Sequence, residues 1–138
     1  MSEVNGYILR IATEQWVNHV FDMAIYYTDL RRKWKSGHTI LFVHKTSLGD
    51  AMIGYGVIET AVEKDELSED ERSECEEGGW KGALVFKYVK RFERPLLIRE
   101  TFLKDSKRRG RLFHGLALSK EQVKRIMSQA EQDLYQKS

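Results

Sequence analysis

One cysteine, one proline and no long apolar run set the outer limits of this 138-residue chain. Cys75 has no second cysteine to pair with, so an intrachain disulfide framework is excluded and a reducing, cytoplasmic setting is expected. No stretch approaches the roughly 18 apolar residues that a membrane helix needs, and the opening residues do not read as a secretory leader. Glycine-rich phosphate loops, a His-Glu-x-x-His pair and cysteine pairs are missing. His19, His38, His44 and His114 are scattered without metal-ligand spacing, so neither a metal nor a cofactor is expected. Cys75 lies among carboxylates, which disfavour its thiolate and oppose nucleophilic use. The paired carboxylates of 65–77 fit a solvated helix face better than acid–base chemistry. On these residues the chain reads as a binding domain and not an enzyme.

A hydrophobic content of 41% with 11% aromatics supports a folded core and argues against disorder, and the length fits one domain over 1–138. The net charge of +2 conceals a strong asymmetry. Residues 63–77 hold nine acids against Lys64 and Arg72, a net of −7. Residues 81–111 hold eleven bases against Glu93, Glu100 and Asp105, a net of +8. Patches separated in this way steer a polyanion towards one face and away from another, although solvated faces that keep a protein soluble look the same.

Several elements are legible. Gly6–Ala12 reads as a strand, and Thr13 caps a helix over Glu14–Met23 whose Trp16, Val17, Val20 and Phe21 recur at helical spacing. Residues 24–28 read as a short apolar connection and 29–34 as a charged turn. Thr39–His44 is a continuous β-branched and aromatic run suited to a buried strand, and Ser47–Asp50 is a hairpin turn leading to a returning strand over Met52–Ala61. Leu67–Cys75 is an acidic helix with Ser68 and Glu71 as a capping box; Gly78 and Gly79 end it and release a long strand, Trp80–Phe92. Residues 98–103 fit a helical turn or a short strand. Lys104–Gly110 is a basic loop, Arg111–Ala117 a last strand, and Ser119 with Gln122 caps a helix reaching about Tyr135. This pattern implies an α+β fold: an open β-barrel of about five to six strands with flanking helices.

Two stretches carry chemistry. Trp80 stands between Gly79 and Gly82 at the entrance of a strand with basic residues at 87, 90, 91 and 94. A π surface beside phosphate-compatible cations is what recognition of a base and its backbone requires. Tyr26 and Tyr27 lie in the apolar connection, from which one of them is expected to point into the same cavity; Trp16 is expected in the core, and Trp34 fits equally a surface aromatic or a plug. The run Ser106–His114 is a basic loop in which Arg111, entering an ordered element, is the best-aimed cation.

Gly6–Trp16, then Lys35–Lys45 followed by Ile53–Glu59, Trp80–Ile98 and Arg111–Ala130 together resemble an EVE domain. That family belongs to the PUA-like superfamily, with ASCH and YTH domains, and the likeness is to its small stand-alone archaeal members. It covers nearly the whole chain in order. The triplet Trp80-Lys81-Gly82 also resembles YTH domains, in which the matching Trp helps to cage a methylated adenine and an arginine in the register of Arg111 contacts phosphate. The chain departs from the pattern at Met23–Tyr27, where a Trp is usual after the first helix, and at His38, which replaces an acid after Gly37. The resemblance implies a non-enzymatic reader of RNA or DNA that takes a single-stranded or flipped base, modified or unmodified. The expected pocket is Trp80, Tyr26, Tyr27, His44, Lys45, Thr46 and Ser47, and the expected phosphate contacts are Lys107, Arg108, Arg109 and Arg111. The alternative is a small-molecule or protein interaction module using the same pocket and the acidic helix. ASCH-like hydrolysis has no assembled nucleophile in this sequence.

Overall fold

Hydrophobic alternation in two central strands decides the layering of the molecule, a computed structural model that describes residues 3–105 and 113–135. In β1 (Val4–Arg10), Tyr7 and Leu9 join one core cluster while Ile8 joins another. In β3 (Thr39–Thr46), Ile40 and Phe42 share the first cluster, and Leu41 and Val43 the second. The two strands run parallel, with Tyr7 opposite Ile40 and Leu9 opposite Phe42. Both faces are therefore covered. Helix α1 (Glu14–Met23) packs Val17 and Val20 onto one side, and α3 (Lys120–Tyr135) packs Val123 and Ile126 onto the other. Two-sided burial is why 39–44 is apolar without alternation.

The remaining strands are β2 (Ile25–Thr28), β4 (Gly49–Glu63), β5 (Gly82–Leu97) and β6 (Leu116–Ser119). They complete an open six-stranded mixed sheet in the order β2-β5-β4-β3-β1-β6, with the acidic helix α2 (Glu69–Glu77) between β4 and β5. The expected α+β architecture is the one found. The glycines of β4 mark close approaches, as expected from the sequence: a Cβ at Gly54 would overlap the carbonyl of Lys90 and come 2.7 Å from the Phe21 ring. Both capping boxes form, Ser68 with Glu71 and Ser119 with Gln122.

Three elements differ from the sequence reading. Residues 25–28 are a strand and not a connection: Ala24 adopts a left-handed conformation (φ 55°), ends α1 abruptly, and lets Ile25–Thr28 pair with Val85–Gly82. The strand expected from Trp80 starts instead at Gly82 and runs through Pro95 to Leu97. Proline is tolerated there because the register passes from Gly54↔Arg91 to Met52↔Leu96, leaving the residues between without ladder partners. The last strand is Leu116–Ser119, since Gly115 at φ 82° turns the chain just before it and donates its N–H to Ile8 O at 2.7 Å. Of the two alternatives for 98–103, the helical one is found: Ile98–Glu100 and Phe102–Asp105 form short 3-10 turns.

Candidate functional site

The end of α2 sets the position of Trp80. Gly79 sits at φ 75° and donates its N–H to Glu76 O, while the Trp80 N–H reaches back to Cys75 O at 3.0 Å. This is a Schellman closure, with glycine at the left-handed position and an apolar residue after it. The apolar contact that accompanies such closures is present, because Trp80 packs with buried Cys75, Tyr27 and Leu67. Gly78 matters for a second reason: the Trp80 ring lies where its Cβ would be.

Around Trp80 the aromatics form a corner. Trp16 stands perpendicular to it at 4.9 Å between ring centroids, and Tyr27 stacks on it at 5.7 Å with planes inclined by 22°. These rings line a cavity of about 410 Å³ together with Ile11, Val20 and Ile25. Its polar lining residues are Arg10, Lys45, His114, Tyr26 and Tyr27. That volume falls in the range of small-ligand pockets, about 300–1,000 Å³. A cavity of similar size, about 420 Å³, lies beside Asn5, Lys33 and Lys35. Volume does not separate the two; the convergence of aromatic walls and polar groups favours the first.

Arg10 is the best-anchored residue of the site. Its backbone N–H donates to His114 Nδ1 at 3.0 Å, and its carbonyl accepts the Tyr26 hydroxyl. Its Nη1 lies 3.0 Å from Asp50 Oδ2, close enough for an ion pair but without the alignment of a hydrogen bond. His114 is itself held by its neighbour, for Gly115 O accepts from Arg32 Nε at 3.2 Å. Burial lowers the His114 pKa, Asp29 raises it, and Arg10 and Arg32 lower it further, so the ring is biased to the neutral form. Burial raises the Tyr26 pKa, reinforced by Asp29. The Tyr27 pKa is pushed up to about 12 by burial first, then by Glu74, Glu71 and Cys75. The Tyr27 hydroxyl is buried and has no hydrogen-bond partner among the described residues.

Of the seven residues expected to form the pocket, Trp80, Tyr26, Tyr27 and Lys45 line the cavity. His44, Thr46 and Ser47 do not. The His44 ring bonds Ile11 O through Nδ1 at 2.8 Å and faces Glu14 through Nε2 at 3.6 Å. Thr46 ties the β3–β4 turn, its hydroxyl donating to Gly49 O and accepting from Leu48 N–H, and Ser47 is exposed within that turn. Lys107, Arg108, Arg109 and Arg111 lie outside the described residues. Arg10, Trp16 and His114 were not anticipated as site residues. Trp16, expected in the core, is a half-buried cavity wall, whereas Trp34 packs edge-on against Tyr7 at 4.9 Å. The one sequence signal for Arg10 is a cation closing an apolar strand.

No family model matches the chain, and neither does any curated protein. Solved structures do. The ASCH protein from Zymomonas mobilis superposes with a TM-score of 0.64 at 14% identity, over 90% of this chain and 94% of that one. A variant of the same protein gives 0.65 at 14% identity, over 93% and 98%. The Mmi1 YTH domain gives 0.59 at 14% identity, over 98% of each chain. At such identities the likeness is one of fold, and the fold of this chain is PUA-like.

Proposed function

We propose that this chain is a non-enzymatic nucleic-acid-binding domain that receives a single-stranded or flipped base of RNA or DNA in the aromatic cavity. The observation that carries the reading is Trp80, fixed by a helix closure beside Trp16 and Tyr27 with cations at the same cavity. Tyr27 and Trp80 already touch, at 5.7 Å. A base sandwiched between two rings needs two van der Waals contacts, about 7 Å in all. The base is therefore received against the ring surfaces that face the cavity. Stacking there contributes about 1–3 kcal/mol per base. The basic run 81–111 and the EVE-like order of the sequence support a polyanionic partner, with Lys107, Arg108, Arg109 and Arg111 assigned to its phosphates. Within the PUA-like fold we place the chain with small archaeal-type EVE readers. Nucleophilic use of Cys75 is opposed by its burial, which raises the thiol pKa.

One observation favours a different occupant. Glu71 and Glu74 lie close enough to Tyr27 to raise its pKa, so a negative field flanks the cavity and would suit a small molecule or a basic protein partner. Fluorescence titration with short RNA and DNA oligomers, methylated and unmethylated and at two salt concentrations, separates the readings. Nucleic-acid binding should be salt-sensitive, and Trp80→Ala should weaken it by about 1–3 kcal/mol. If Trp80→Ala binds every oligomer as the parent does, the site is misassigned.

A further inference from the structure

We propose that the sheet face carrying Tyr55, Tyr88 and Phe92 is a second contact surface for single-stranded nucleic acid, separate from the aromatic cavity. From Gly54↔Arg91 to Val57↔Tyr88 the β4–β5 ladder is unbroken, so side chains alternate between the two faces of the sheet. Tyr88, Lys90 and Phe92 therefore share one face, with Tyr55 directly opposite Lys90. The ring geometry agrees: Tyr55 meets Tyr88 edge-on at 6.3 Å between centroids, and Phe92 at 6.0 Å with planes inclined by 32°. Tyr55 and Phe92 pack with the core cluster on the α3 side. The cavity rings belong to the other clusters, so the row lies on the opposite face of the sheet from the cavity.

Tyr88 is 52% exposed, the one exposed aromatic among the described residues. Tyr55 braces it along one edge and half of its surface is left to solvent. Lys90 is exposed within the row, and Lys87 and Arg94 are exposed beyond its two ends. Residues 87–94 carry four bases against Glu93 alone. Arg91 is committed elsewhere: its guanidinium lies 4.7 Å from the Phe21 ring centroid and donates to Asn18 Oδ1 at 3.0 Å. The row has one acidic border on α3, since burial, Tyr88 and then Glu131 raise the Tyr55 pKa. Bases and phosphates alternate along a nucleic-acid strand as rings and cations do along this face. Sheet-borne aromatics set among cations stack two or three bases in this manner.

The test measures binding of labelled 12-nucleotide oligouridine and oligothymidine to the full chain. Tyr88→Ala should weaken binding by about 5- to 150-fold, and Tyr88→Phe, which keeps the ring, should retain most of it. Lys90→Gln should flatten the salt dependence by about 0.7 in slope. The exposure of Tyr88 means that its removal should leave the fold intact, checked by an unchanged urea midpoint. Parent-like binding by Tyr88→Ala, with Trp80→Ala weakened, overturns this surface and leaves the cavity reading intact. Loss in Tyr88→Ala with none in Trp80→Ala supports the surface and removes the cavity reading. A 12-residue oligoglutamate that binds as tightly, with the same sensitivity to Tyr88→Ala, overturns the proposal in favour of an acidic protein partner. Binding of no oligomer overturns both readings.

Discussion

At His114 a single ring nitrogen holds the end of β1 in place, and its proton count therefore bears on the whole cavity. Nδ1 accepts the Arg10 N–H only while the ring is neutral. Burial lowers its pKa, with Asp29 opposing and Arg10 and Arg32 reinforcing the shift. The unfolded chain thus takes up the proton first as pH falls. The contribution to stability is complete above the ordinary histidine value, about 6.5, and is lost as pH drops through the folded value. His38, whose pKa burial and Lys35 also lower, contributes in the same direction. Urea denaturation should show lower stability at pH 5.5 than at pH 7.5. His114→Asn, which keeps an acceptor near the Arg10 N–H but does not titrate, should lose part of that difference. An unchanged difference would place the effect at His38 alone.

Two left-handed positions at helix ends allow opposite expectations for one backbone conformation. Ala24 closes α1 at φ 55°, where an L-residue is strained by about 1–2 kcal/mol. Ala24→Gly relieves this but frees the unfolded chain, so a net gain below about 1 kcal/mol is expected by chemical denaturation. Gly79 closes α2 at φ 75°, and its Cβ would meet nothing within 4 Å, so Gly79→Ala incurs backbone strain alone. It should destabilise by about 1 kcal/mol and shift Trp80 fluorescence, because the same closure fixes that ring. Equal signs for the two substitutions would show that the caps are not what sets these turns. The same positions explain what was legible. The α2 capping box and its glycine exit are written in local residue types, and so was the helix from Glu14 to Met23. The strand 25–28 was not, because its stop signal is an alanine in a glycine conformation and its pairing partner lies over fifty residues away. Trp80 declared itself through its glycines. Arg10 and His114 meet only through a contact 104 residues apart, which no local pattern encodes.

Across the whole molecule, charge and cavity lie side by side. Helix α2 leads directly into Trp80, and its Glu71 and Glu74 are felt at the Tyr27 hydroxyl, so the acidic block of the sequence borders the proposed entry. A polyanionic backbone is then repelled from that border and left to approach from elsewhere, which orients it as well as attracting it. Glu74 and Glu77 occupy the last turn of α2, where negative charge also opposes the helix dipole. Replacing both by Gln should leave the fold intact or slightly firmer and tighten oligonucleotide binding. The gain should be largest at low ionic strength and vanish near 1 M salt, where the screening length is about 3 Å. Association rates should carry most of the change, since the groups lie beside the cavity and not among its lining residues. A gain that persists at high salt would mean that these carboxylates act by contact. No gain at any salt would mean that the polymer does not pass α2, and the orienting role would have to be sought in another charged face.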